Sequence, residues 1–246
     1  MYPRLAHFGS ITIPTYSVVA AVGLIAALLL AEWCAPHVGL ARERIWHFCL
    51  GTLAGTLVLS RIALAAQNWA AFRTYPRVIL TLPTLTRSGP LLVVLCAAAC
   101  IVAMHLPWLR TLDAVTPAAL LLLTALHVGS FFAGDDLGSR TDLALGNLVR
   151  GDEGHHPVAL YAAVLTALAC AASMVTLLRN NRVGRTFGVG LAAVSVARFV
   201  ADEFRPGYLL PQLGIPGFLR ADQLLLLALF VAGMLFLLDW SPRHAK

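Results

Sequence analysis

Residues 13 to 35 read Ile-Pro-Thr-Tyr-Ser-Val-Val-Ala-Ala-Val-Gly-Leu-Ile-Ala-Ala-Leu-Leu-Leu-Ala-Glu-Trp-Cys-Ala, with one charged residue, Glu32, close to the end. A helix rises 1.5 Å per residue, so about twenty apolar residues cross a hydrocarbon core roughly 30 Å thick. This stretch is long enough. Its tail, Leu28 to Cys34, resembles a lipoprotein signal, but Glu32 and the bulky Trp33 break the small-residue pattern of a cleavage site. It is read as a retained first span, with Glu32 near enough to its end to reach the interface.

Six further apolar runs follow: Trp46–Ala66, Pro90–Leu106, Ala114–Ala133, Pro157–Leu178, Phe187–Phe204 and Gln223–Trp240. The 246 residues are 59% hydrophobic and only 12% charged, with a mean hydropathy of +0.79, which excludes an ordinary soluble domain. Lipid offers no hydrogen bonds to the backbone, so only helices or closed barrels span it, and continuous Leu/Ala/Val runs contradict the alternation of barrel strands. The expected fold is therefore all-α: a polytopic integral membrane protein of about seven transmembrane helices. A single transmembrane domain over residues 1–246 is expected, with polar loops at 67–88, 134–156 and 206–220. Within the first of these loops, Val78–Leu82 is apolar but too short to cross, which suits an interfacial position.

Eighteen basic against twelve acidic residues give a net charge of +6, and Lys246 is the only base that is not Arg. In a membrane protein this balance points to anionic phospholipid headgroups, and no nucleic-acid-binding module is present. Arginine also grips phosphate with a planar fork. Loop bases divide evenly between the two sides, and the dense clusters at Arg42/Arg44 and Arg179/Arg182/Arg185 favour an outward N-terminus. Cys34, Cys49, Cys96, Cys100 and Cys170 all fall in or at the end of apolar runs, where thiols act as small hydrophobes. Cys96 and Cys100 share a helix face without a neighbouring His or carboxylate in sequence, so neither a metal nor another cofactor is expected.

Arg198-Phe-Val-Ala-Asp202-Glu-Phe-Arg205 closes the sixth run. Arg198 and Asp202 are i, i+4, and Asp202 and Arg205 are i, i+3, so the three charges stack on one face. A charge at membrane depth marks a functional site by default. Two arginines around one carboxylate leave positive charge for an anion; the competing reading is a structural lock between helices. His127, inside the fourth span, is either a proton acceptor at neutral pH or a packed, hydrogen-bonded side chain. Asp113-Ala-Val-Thr-Pro117 reads as a capped start to that span. Gly129, Gly134 and Gly138 let backbone amides approach a ligand. Asp135 and Asp136 bind a cation, cap the loop or pair with Arg198; the residue types do not choose.

Taken in order, several segments resemble the prolipoprotein diacylglyceryl transferase family. They are Gly9 to Ser17 with Tyr16; Gly55 to Arg61; Asp113-xxx-Pro117; Gly129-Ser-Phe131-Phe-Ala-Gly134-Asp-Asp-Leu-Gly138 with Thr141-Asp142; His156-Pro157-Val-Ala-Leu160-Tyr161; Arg198-Phe-xx-Asp202-xx-Arg205; and Gln223. No one motif is specific, but the ordered set covers nearly the whole chain. The resemblance implies a bacterial inner-membrane enzyme that moves the diacylglyceryl group of phosphatidylglycerol onto the thiol of a lipobox cysteine in a prolipoprotein signal peptide. The products are a thioether and glycerol phosphate.

On this resemblance His127, Arg198 and Asp202 are the expected catalytic residues. Tyr16, Gly134, Asp135, Gly138, His156, Tyr161 and Arg205 are expected to bind substrate, with phosphatidylglycerol or another anionic phospholipid as lipid partner. The chain departs from the family pattern at several places, among them Asp135, which stands where the family has Glu. His127 stands where the family has Arg, Ser130 and Ala133 stand where it has Asn, Ala162 stands where it has Glu, and Gly89–Leu95 holds no His-Gly-Gly motif. The alternative function is a non-catalytic or differently specific lipid-binding paralogue. A solute transporter is disfavoured, because neither repeated halves nor paired broken helices are present.

Overall fold

The computed structural model describes residues 4–8, 11–74, 89–142, 154–179, 182–205 and 221–238. Among the described residues seven long helices coincide with the seven apolar runs. They are α1 (Thr15–Cys34), α2 (Arg42–Gln67), α4 (Gly89–Ala103), α5 (Trp108–Ala133), α6 (Val158–Arg179), α7 (Arg185–Glu203) and α8 (Ala221–Leu237). A 3-10 turn, Ala35–Val38, extends α1, and a short helix α3 (Trp69–Thr74) follows α2. Four segments, α1 with its 3-10 turn, α2, α5 and α6, are each long and apolar enough to cross a membrane, while α4 and α8 are shorter apolar helices. This is a multi-pass membrane protein, built almost wholly of helix.

Two small antiparallel ladders were not foreseen by the all-helical reading. Strands β1 (Arg4–Phe8) and β2 (Ile11–Pro14) pair before α1, and β3 (Leu137–Arg140) pairs with β4 (His155–Pro157). Neither is long enough to show a period of two, so pairing between distant segments, which a local pattern does not record, decides them. Three tracts of the polar loops, 75–88 with Val78–Leu82, 143–153 and 206–220, lie outside the described residues.

Helix α5 is the axle of the fold. Lipid gives helices no hydrophobic drive to associate, so close van der Waals approach between small residues does the work. A Cβ added to Gly23 of α1 would fall 2.2 Å from the Ala125 Cβ, and one added to Gly190 of α7 would fall 2.2 Å from the Thr116 Cγ2. Ala27, Ala31, Ala114 and Ala118 continue the α1–α5 contact as buried core. Positions 114, 118, 125 and 129 thus face α1, whereas 113, 116 and 127 face α7. The α7–α8 contact is also built on glycine: a Cβ at Gly233 would lie 2.9 Å from the Gly188 carbonyl oxygen. Helices α2 and α4 pair as a hairpin, with Cys96 and Cys100 against Gly55 and Gly51. Arg44 donates to the Met104 carbonyl oxygen at 2.8 Å, satisfying a carbonyl just past the end of α4.

Asp113 corrects the expected cap. Helix α5 starts at Trp108, behind Pro107, so Asp113 lies inside it. The carboxylate is buried and accepts the backbone N–H of Phe187 at 2.8 Å and that of Gly184, donors at the start of α7 that lack a partner within the helix. Gly184 takes a φ of 86° immediately before α7 and has no side chain with which to cap it. Asp113 therefore does cap a helix, but one that begins about seventy residues later.

Candidate functional site

The last two turns of α5 and the last two turns of α7 meet at the ends of their apolar lengths, and that meeting assembles the charges. Arg198 Nη1 lies 3.4 Å from His127 Nε2. A guanidinium only donates, so this contact makes Nε2 the acceptor and puts the ring proton on Nδ1. On its other side Arg198 Nη2 is 3.9 Å from Asp202 Oδ1. That same oxygen forms an ion pair with Arg205 Nη1 at 2.7 Å, and Arg205 Nη2 donates to Asp136 Oδ2. The order along the cluster is His127, Arg198, Asp202, Arg205, Asp136.

Asp136 alters the charge reading. Two arginines around one carboxylate implied a surplus of positive charge, but with Asp136 two cations face two anions. The two arginines are consequently not equivalent. Arg205 is bracketed by Asp202 and Asp136 at hydrogen-bonding distance, whereas Arg198 is held loosely by one carboxylate and one imidazole. Burial works against the Arg205 charge, yet the hydrogen bond and charge of Asp136, with the charges of Asp202 and Asp222, outweigh it and raise its pKa. Of the two, Arg198 is the less tightly engaged.

Asp136 reaches Arg205 because α5 ends in a left-handed cap. Gly134 has a φ of 78°, its N–H bonds the Phe131 carbonyl, and the Asp135 N–H bonds that of Ser130. This is the paired closure of a Schellman-type end, for which glycine is the natural residue. Asp136 follows with a φ of 65°, a conformation that non-glycine residues seldom adopt and Asp tolerates better than most. Gly134 thus turns the chain and Asp136 uses the turn. Asp135 is exposed on the outer side of the same turn.

The remaining expected residues fall into two places. His156 and Tyr161 share a hydrogen bond of 3.3 Å beside Phe204, and buried Gly138 packs against His156, Val158 and the Phe204 carbonyl. All four adjoin the charge cluster through the end of α7. Tyr16 lies elsewhere: its ring and backbone pack on Gly129, two residues from His127 and so about 200° around α5. The sequence reading overlooked Phe204, Ser139 and the bond of 2.6 Å from buried Gln223 to Glu203, which ties the start of α8 to the end of α7. No local pattern signals these contacts, since each joins segments far apart in the chain or separated by a loop.

Set beside known proteins, the sequence has relatives. The sequence profile of the prolipoprotein diacylglyceryl transferase family matches residues 3–239. The chain belongs to that family. Membership in the prolipoprotein diacylglyceryl transferase family places it among transferase enzymes, and the match spans every helix that contributes to the charge cluster. A relative in Staphylococcus haemolyticus (strain JCSC1435), the phosphatidylglycerol–prolipoprotein diacylglyceryl transferase, is 21% identical over 253 aligned positions, which cover 96% of this chain and 87% of the relative.

Proposed function

We propose that this protein transfers the diacylglyceryl group of phosphatidylglycerol to a lipobox cysteine thiol of a prolipoprotein, in the cytoplasmic membrane of a bacterium. In the reaction the thiol gives up its proton, a carbon–sulfur bond forms at the terminal glycerol carbon of the diacylglyceryl group, and the carbon–oxygen bond to phosphate breaks. Glycerol phosphate leaves with the electron pair. The family match and the relative's name support the reaction.

The observation that carries the site is the contact of 3.4 Å between Arg198 and His127. Arg198 is the proposed phosphate ligand, its fork neutralising charge on the leaving glycerol phosphate. When phosphate takes the Arg198 donors, the Nε2 lone pair of His127 is released to accept the thiol proton. Asp202 holds the guanidinium in place, and Arg205 with Asp136 holds Asp202. Gly134, Asp135 and Gly138 shape the rim from the β3 side; Tyr16, on the other flank of α5, is assigned to the acyl or peptide part of the substrates.

The test is release of glycerol phosphate by purified protein given phosphatidylglycerol and a lipobox peptide. Arg198→Ala is expected to lower turnover by a factor of about 10² to 10³, the usual effect of deleting one charge-stabilising donor. Undiminished turnover in Arg198→Ala sinks the proposed site. Phospholipid that is retained without any glycerol phosphate release instead supports the lipid-binding paralogue.

A further inference from the structure

Phe204 is gripped twice. Its carbonyl oxygen accepts the Ser139 N–H at 2.7 Å and lies 3.2 Å from the Ser139 hydroxyl. Its ring lies 4.9 Å from the His156 ring and 5.0 Å from that of Tyr161, while the His156–Tyr161 hydrogen bond closes the triangle. Those separations are the ones at which aromatic rings attract edge to face. The closeness depends on Gly138, where a Cβ would sit 2.6 Å from the Phe204 carbonyl oxygen and 2.8 Å from the His156 Cβ. Underneath, Phe204 packs on buried Val158, Ala162 and Ala201.

This clasp sits at an electrostatically consequential point. Phe204 lies between Asp202 and Arg205, and its own N–H and that of Arg205 close the helix on the carbonyls of Ala201 and Asp202. A helix end frays unless tertiary contacts hold it. Fraying here would swing Asp202, and with it the only carboxylate within 4 Å of Arg198 among the described residues.

We infer that Phe204 is a positioning residue: clasped by Ser139 and by the His156–Tyr161 pair, it fixes the end of α7 and so aims Arg198 at an anionic phospholipid headgroup. His156 and Tyr161 then act through the Phe204 ring and not by touching lipid. The inference rests on the reading of Arg198 as phosphate ligand. It does not require that the transfer reaction take place.

The experiment uses the full chain and native mass spectrometry with phosphatidylglycerol and phosphatidylcholine as probes. Phe204→Leu, which keeps volume and loses the ring, is expected to weaken phosphatidylglycerol binding about tenfold, since a small misplacement of an aligning group is costly. Phosphatidylcholine binding should stay within twofold, and Phe204→Tyr, which restores the ring, should return phosphatidylglycerol binding to near wild type. Combined with Arg198→Ala, Phe204→Leu should cause no further loss, because both changes remove one function. Additive losses overturn the inference, as do equal weakening of both lipids, a Phe204→Tyr variant no better than Phe204→Leu, or a wild type that does not prefer phosphatidylglycerol. If Phe204→Leu fails to accumulate, Tyr161→Leu carries the same expectations and the same refutations. A wild type that binds phosphatidylglycerol but releases no glycerol phosphate defeats the transferase reading alone.

Discussion

Asp113, in the second turn of α5, accepts backbone N–H groups from Gly184 and Phe187 and thereby caps α7 from outside its own sequence. Arg198 and Asp202 ride on that helix and Arg205 follows its end, so its start is anchored by a carboxylate and its end by the clasp on Phe204.

Asp113→Ala removes the cap and leaves two N–H donors without their acceptor in a buried place. The expected cost is about 1–3 kcal/mol, a cap plus the desolvation of what it satisfied. Asp113→Asn keeps one carbonyl oxygen in position and should lose less than half as much. The measurement is unfolding of the detergent-solubilised protein by heat. An Asp113→Ala variant as stable as wild type would show that water replaces the carboxylate.

The limits of the sequence become visible at this residue. The chemistry of Asp113, a short acceptor beside a helix start, was legible, but which helix it serves was not, because a cap over seventy residues leaves no periodicity. The seven spans were readable because lipid imposes length and apolarity on each segment independently. His127 and Arg198 could be named singly for the same reason: polar groups at membrane depth stand out. For Asp136 the residue types leave three roles open, and none of them is its actual pairing with Arg205. Its direction depends on two left-handed backbone conformations, at Gly134 and at Asp136 itself.

The Arg205–Asp136 bond yields a prediction of non-additivity. Each side chain remains about one-quarter exposed, so water screens the pair and its coupling is expected at about 1 kcal/mol, not several. Asp136→Asn and Arg205→Gln should each lower thermal stability, while the double variant should lose little beyond the worse single one. Fully additive losses would show that the two groups do not act on each other. Turnover should fall in Arg205→Gln more than in Asp136→Asn, because Arg205 also holds Asp202.

Packing between α1 and α5 is tight enough to test by exchange. Alanine at position 23 would put its Cβ 2.2 Å from that of Ala125, a separation the helices must relieve by moving apart. Overpacking of this kind costs about 1–3 kcal/mol. Gly23→Ala should therefore destabilise, and adding Ala125→Gly should recover most of the loss by returning the missing space. A Gly23→Ala variant that is neutral by itself would show that α1 is free to shift on α5.

His127 decides whether the cluster works as chemistry. Its Nε2 faces the Arg198 guanidinium at 3.4 Å, so the ring is turned toward the charges. A base in that place must be neutral to take a thiol proton, so turnover should fall as the medium is made acidic and the imidazole becomes charged. His127→Ala is expected to cut turnover about 10²-fold or more, the contribution of a positioned general base, while phosphatidylglycerol stays bound through Arg198. His127→Gln keeps a hydrogen-bond acceptor for Arg198 but cannot take up a proton near neutral pH, so it should preserve stability and lose turnover nearly as fully. That contrast separates chemistry from packing. If His127 serves only to seat Arg198, His127→Gln would remain as active as wild type and His127→Ala would show chiefly a lower melting temperature. The deciding measurement is glycerol phosphate release across a pH series for wild type and both variants: activity in His127→Gln with an unchanged acid limb assigns the proton to another group.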